Sequence, residues 1–242
     1  MIVAELRSTG CQVVPDKFTA VTPKGPMAME NIIARFPGKS GKAVVITGHY
    51  DTKLLPGNFV GANDGGSSTG FLLELARAAA KKPRAHDLYL VWFDGEEAIG
   101  PWSEKDGLHG SRHLAERWQR EGMLAKILAL INVDMIGDRN LKLLAEHNSN
   151  PALRRLIWQT AEDLGYGAYL DRVPSYIEDD HMPFVRRGVA AVDLIDFEYG
   201  PSNTYWHTAE DTVDKLSADS FQVLGNLILE VIRRLESGAA LR

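Results

Sequence analysis

The chain has 242 residues, of which 45% are hydrophobic, 8% aromatic and 24% charged. That composition builds a full core and excludes disordered, collagen-like and coiled-coil chains. With 27 basic against 32 acidic residues the net charge is -5, which gives no electrostatic footprint for a nucleic-acid backbone or an anionic membrane. Cys11 is the single cysteine, so intrachain disulfides and cysteine-based metal or redox motifs are excluded, and any metal must sit on histidines and carboxylates.

Taken in chain order, the hydrophobic pattern predicts strands at 31–36 and 43–48, a helix over 68–80, a strand at 87–93, a helix over 111–120 and a strand at 127–133. A helix over 151–164, a short one at 181–187, a strand at 190–195 and a long helix over 217–236 follow. The last is amphipathic, with Phe221, Leu224, Ile228, Val231 and Leu235 on one face and Ser217 placed as its N-cap. The longest apolar stretches, 88–93 and 127–133, have strand length, far short of the roughly eighteen residues of a membrane span. Near-continuous apolar strands alternating with helices predict an α/β fold, a mostly parallel central sheet sandwiched between helices. No repeat or Pro/Gly-rich linker divides residues 1–242, so one domain is expected. Trp92 and Trp158 are expected in the core, and His86, His109, His113 and His147 at the surface or in caps.

In such folds ligands bind beyond the carboxyl ends of the strands, and four strand ends here carry histidine or acid. His49-Tyr50-Asp51 follows the second strand, Asp94-Gly95-Glu96-Glu97 the third, and Asp134 the fourth, while Trp206-His207 lies beyond the fifth. Asp64 sits in a glycine-rich loop that opens a helix. His49, Asp64, Glu97, Asp134 and His207 offer the imidazole and carboxylate donors that zinc takes, although each alone is more often a cap or a solvated charge than a ligand. Glu96-Glu97 is the sharpest signal, because adjacent carboxylates after an apolar strand repel unless a cation or a proton compensates. A rival reading is a serine hydrolase: Gly66-Ser67-Ser68-Thr69-Gly70 fits the nucleophile-elbow pattern with Ser68 as nucleophile and His207 downstream. That elbow needs a strand directly before the serine, and 56–64 is polar and glycine-rich.

His49-Tyr50-Asp51, Ala62-Asn63-Asp64, Phe93-Asp94-Gly95-Glu96-Glu97-Ala98, Asp134-Met135-Ile136-Gly137 and Trp206-His207-Thr208 together resemble the motifs of zinc aminopeptidases with co-catalytic metals. They are more similar still to the animal glutaminyl cyclases on the same fold, through Trp102-Ser103 with Asp106, Leu108 and 110–115, and through 178–189. The resemblance runs from Asn31 to the end. It implies one zinc on Asp64, Glu97 and His207, Glu96 as proton shuttle, Asp134 and Asp179 completing an acid network, and Trp102 and Trp206 walling the substrate pocket. In the two-metal relatives Asp64 would bridge, His49 and Asp134 would hold a second ion, and Asp51 would orient His49. Both ligand sets are present, so one ion is expected with room for a second. Glu178 departs from the glutamine of the animal cyclases at a substrate-binding position, and the segment 196–205 is longer than theirs.

The function expected is cyclisation of N-terminal glutamine on peptides or proteins to pyroglutamate with release of ammonia. The alternatives are an aminopeptidase using the same Glu96 on a water, and a catalytically silent peptide-binding domain of the same fold. No basic stretch followed by an apolar one opens the sequence, and its first residues resemble the inside of a helix that relatives extend upstream. A secreted or periplasmic protein whose signal has been removed is therefore expected.

Overall fold

The computed structural model describes residues 1–57, 59–80 and 82–238. Six strands form one sheet: β1 (Gln12–Thr22), β2 (Gly25–Phe36), β3 (Ala43–His49), β4 (Asp87–Phe93), β5 (Ile127–Asp134) and β8 (Ala191–Ile195), in the order β1-β2-β4-β3-β5-β8. The β4-β3, β3-β5 and β5-β8 pairs are parallel, and the β1-β2 and β2-β4 pairs are antiparallel. The parallel half follows the sequence pattern, since every residue of β3 is buried, as a strand covered on both faces requires. The antiparallel edge departs from it. β1 carries Pro15, Asp16 and Lys17 in an exposed-buried alternation, the chemistry of an edge strand, and the two-residue turn Pro23-Lys24 lacks the usual hairpin glycine pair. A second, two-stranded sheet of β6 (Leu143–Glu146) and β7 (Leu170–Ser175) was not expected either, being only four and six residues long.

Helices cover both faces. On one, α2 (Gly66–Ala79), α4 (Pro151–Asp163) and α6 (Ala218–Glu236) bury Leu72, Ile157 and Leu224 against Val44, Leu90 and Ile131, with Leu6 of the short α1 (Ile2–Leu6) at the margin. On the other, α3 (His109–Arg120) and the single turn α5 (Met182–Val185) pack Leu114, Trp118 and Phe184 on Val45, Val91 and Leu130. Ser217 caps α6 through the Asp219 N–H and Asn150 caps α4 through Ala152 and Leu153, each satisfying amides that the first helical turn leaves open. Trp92 is fully buried, and Trp158 is half-buried and packs against the same core from α4. Among the described residues no helix is long and apolar enough to cross a membrane. The expected single unit reaches residue 242, and 239–242 lie outside the described residues.

All four parallel strands end at one edge of the sheet. On the α3 face of β3 and β5, alternation brings Val45, Thr47 and His49 into line beside Leu130, Asn132 and Asp134. Each strand thus turns from apolar to polar as it reaches the crevice.

Candidate active site

The turns after β3 and β4 are tied together by one carboxylate. Asp51, just beyond β3, accepts the backbone N–H of Glu96 at Oδ1 (3.1 Å) and of Glu97 at Oδ2 (3.2 Å), fixing the turn after β4. Asp51 is expected from the sequence to orient His49. Its carbonyl lies 3.1 Å and its carboxylate 3.7 Å from His49 Nδ1, so both face that ring nitrogen. Gly65 is indispensable here: it adopts φ +85, and a Cβ would lie 2.5 Å from the Asp51 carbonyl and 3.2 Å from the His49 ring.

His207 Nε2 stands 3.1 Å from both Asp64 Oδ2 and Glu97 Oε1. His49 Nε2 stands 3.3 Å from Asp64 Oδ1 and 3.2 Å from Asp134 Oδ1. Donor atoms of Asp64, Glu97 and His207 therefore lie within 4.8 Å of one another, as do those of His49, Asp64 and Asp134, with Asp64 common to both groups. Asp64 Oδ2 is buried without a partner of hydrogen-bond geometry, the condition of an oxygen arranged for an ion rather than for a proton donor. One nitrogen and two carboxylate oxygens form a three-ligand set that leaves a fourth zinc position open, so the residues fit a catalytic zinc.

The electrostatics agree with a site built around positive charge. Burial works against ionising Asp64, yet the His207 and His49 imidazoles hold its carboxyl well below the usual range. Burial likewise opposes protonation of His207, but Asp64 and Glu97 raise it to about 9. Glu96 is pushed well above the ordinary value by burial, against the pull of His49 and with the help of Asp179 and Glu97. Asp134 rises to about 7 through burial, partly countered by His49. A fixed set of carboxylates this dense requires protons or a cation between them.

These groups open into a cavity of about 460 Å³, lined also by Trp102, Glu178, Asp179 and Trp206. Trp206 stacks on His207 with ring centroids 4.0 Å apart and leans on Phe197. Trp102, 46% exposed, lies across Gly107, where a Cβ would meet its ring at 2.8 Å. Glu178 turns its carboxylate outward to Arg186, at 2.7 and 2.9 Å.

Several cavity groups had escaped the sequence reading. Lys53 Nζ is 3.4 Å from Glu97 Oε2, and Tyr176, Ile177, Ile195 and Phe197 complete the wall. Beneath it, Asn132 Nδ2 donates to Asp179 Oδ2 (2.9 Å) and Asp193 Oδ1 (3.1 Å), while its Oδ1 accepts from Thr47 (2.7 Å). A lone amide inside an otherwise apolar strand was the signal available for it. Ser68 is corrected. No strand leads into it, it is fully buried in the first turn of α2, and its hydroxyl donates to the carbonyls of His49 and Gly65. A hydroxyl so committed faces neither a base nor solvent, and the serine-hydrolase alternative falls.

The comparisons with known proteins follow the same geometry. Residues 31–232 match peptidase family M28. A glutaminyl-peptide cyclotransferase of Drosophila melanogaster is 32% identical over 253 residues, covering 92% of this chain and 71% of that relative. Among solved structures, a glutaminyl cyclase of an Acidobacteriales bacterium superposes with a TM-score of 0.93 at 44% identity, covering 98% of this chain and 84% of that one. A Zn-dependent exopeptidase from Parabacteroides distasonis superposes with 0.82 at 26% identity, covering 96% and 87%. Matched along most of its length in sequence and in fold, the chain belongs to peptidase family M28, as a glutaminyl cyclase-like member.

Proposed function

We propose that the protein is a zinc-dependent glutaminyl-peptide cyclotransferase, an enzyme that closes N-terminal glutamine of peptides and proteins to pyroglutamate and releases ammonia. The observation that carries this reading is the presence, in one aromatic-walled cavity, of the Asp64, Glu97 and His207 donors and of the buried Glu96 carboxyl beside them. Asp64, Glu97 and His207 would hold the ion, which when bound acts as a Lewis acid toward the glutamine side-chain carbonyl.

The residues of the chain account for the proton traffic. Closure requires the free α-amine to form a bond to the side-chain amide carbon and the C–N bond to the amide nitrogen to break. Glu96 takes the proton that the amine loses and delivers it to the departing nitrogen, which leaves as ammonia. A carboxyl held above its ordinary value by burial and by the neighbouring acids is suited to both transfers at neutral pH. Asp134 and Asp179 face the same cavity, and Asp179 is held there by the Asn132 amide. Trp102 and Trp206 exclude water and orient the small glutamine side chain.

The second reading, an aminopeptidase, is supported by the His49, Asp64 and Asp134 donors, which suit a second ion, and by the exopeptidase neighbour. In that reaction Glu96 would deprotonate a water instead. Incubation with a glutamine-leading and a leucine-leading peptide, followed by mass spectrometry, separates the two. Loss of the mass of ammonia from the first peptide alone is expected, and removal of the leading residue from either would establish the peptidase. No change in either peptide would leave the non-catalytic peptide-binding alternative.

A further inference from the structure

The segment between β8 and His207 is held in an uncommon shape. Ser202, Asn203 and His207 all adopt left-handed backbone conformations (φ 54, 59 and 55). Non-glycine residues persist there only where the surroundings over-determine them. Local bonds supply part of the restraint: Tyr199 N donates to Asn203 Oδ1 (3.0 Å), Tyr205 N to the Tyr199 carbonyl (3.2 Å), and the Tyr199 and Tyr205 rings meet edge to face at 5.4 Å.

The remaining restraint reaches outside the segment. Tyr199 is fully buried, and its hydroxyl donates to Asp211 Oδ1 at 2.9 Å. The carboxylate of Asp211, also fully buried, accepts two further donors from the glycine-rich loop: the N–H of Asn63 at Oδ1 (2.8 Å) and the N–H of Asp64 itself at Oδ2 (3.2 Å). Its own N–H donates to the Thr208 carbonyl (3.1 Å), one residue beyond His207. Asp211 is thus bonded to the backbone of Asp64, to the residue after His207, and to the side chain that anchors the long segment. Neither Tyr199 nor Asp211 is among the residues that line the cavity.

We propose that the Tyr199 hydroxyl, acting through Asp211, is a positioning device that fixes His207 against Asp64 and so sets the affinity of the site for zinc. This rests on the reading of Asp64, Glu97 and His207 as metal ligands. A zinc site binds tightly when its donors stand where the ion needs them before it arrives, and groups bonded behind the ligands supply that order. The device joins two of the ligand-bearing loops, those of Asp64 and His207, across the fold. Loss of the hydroxyl leaves His207 in its strained conformation with one anchor fewer.

The test is Tyr199→Phe, which keeps the ring and its packing and removes only the donor. Zinc affinity is measured on the full chain by competition with a chelating dye, with Glu97→Gln alongside, and the thermal midpoint of each metal-free protein is recorded. The expected result is zinc binding weakened roughly tenfold to a hundredfold in Tyr199→Phe, the range for losing a bond behind a metal ligand, with a metal-free midpoint close to that of the parent. Parent affinity together with a lowered metal-free midpoint would show a purely structural bond and overturn the inference. If Glu97→Gln loses zinc while Tyr199→Phe binds it as the parent does, the inference alone fails. If Glu97→Gln binds zinc as tightly as the parent, the metal reading itself fails and the inference with it. Asp211→Asn, which weakens all three bonds, should lose at least as much affinity as Tyr199→Phe, and unchanged binding there would count equally against the proposal.

Discussion

The floor and the rim of the cavity are built on different terms. The floor groups, His49, Asp64, Glu96, Glu97 and Asp134, stand at strand ends or in turns tied to them, all buried and close-spaced. The rim groups, Trp102, Tyr176, Glu178 and Trp206, stand on loops and are exposed or half-exposed. The floor is set by the sheet, so its spacing is rigid enough for metal and proton chemistry. The rim can vary without disturbing it, which suits substrate selection. Substitutions in the two regions should therefore fail in different ways, the floor in chemistry or folding and the rim in binding.

The sharpest break in that comparison lies within the floor, between two adjacent acids. Glu96→Gln keeps size and removes basicity, so zinc should stay bound while turnover falls by roughly two to four powers of ten. Glu97→Gln replaces an anionic donor by a neutral one and should lose the metal or bind it much more weakly. Zinc content and rate measured on both variants decide it. Near-parent turnover by Glu96→Gln would remove Glu96 from the proton path.

A second test reaches the support beneath the floor. Glu146, fully buried, accepts the N–H of Asn148 and Ser149, the Ser149 hydroxyl and the N–H of Ile177, and so pins the segment that leads to Asp179. Burial pushes its carboxyl up, but the His181 imidazole 3.3 Å away, Ser149 and the Asn148 N–H bring it down to about 2. A folded-state value below the ordinary one means stability that is fully present above about pH 4.5 and is lost as the pH falls toward about 2. Glu146→Gln should therefore be less stable at neutral pH and show a flatter loss between about pH 4.5 and 2, read from urea midpoints across that window. Equal slopes in parent and variant would show that Glu146 is not the acid-sensitive support.

How much of this was legible in the sequence follows the same division. The strand-end motifs were readable because strand periodicity and the crevice rule place His49, Glu96, Glu97 and Asp134 together without any side-chain detail. The grips that hold them were not. Asp51 acts on the Glu96 and Glu97 amides and Asp211 on those of Asn63 and Asp64, and a side chain bonded to distant backbone leaves no pattern in composition or spacing. The β1-β2 hairpin escaped because an edge strand can be polar and need not alternate cleanly. Asn132 could have been noticed, since a buried amide within an apolar strand needs partners. Lys53, two residues beyond Asp51, had no such marker.

The smallest expected effect belongs to the rim, where Trp102 offers the cleanest case. Its ring is 46% exposed and rests on Gly107, outside both hydrophobic cores. Removing it deletes a wall of the cavity but little packing that the fold depends on. Trp102→Ala should raise KM for short glutamine-leading peptides by about tenfold, as expected for losing one aromatic contact that shields and orients the substrate. The thermal midpoint should scarcely move, because exposed substitutions away from caps and cores usually change stability by less than about 0.5 kcal/mol. Zinc content should also stay at the parent level, since no donor of the proposed metal site is touched. The measurements are a KM and kcat pair, a thermal melt and a zinc assay on the same preparation. A midpoint lowered by several degrees with KM unchanged would assign Trp102 to the framework. It would also erase the distinction drawn between floor and rim at the one residue where the two should differ most.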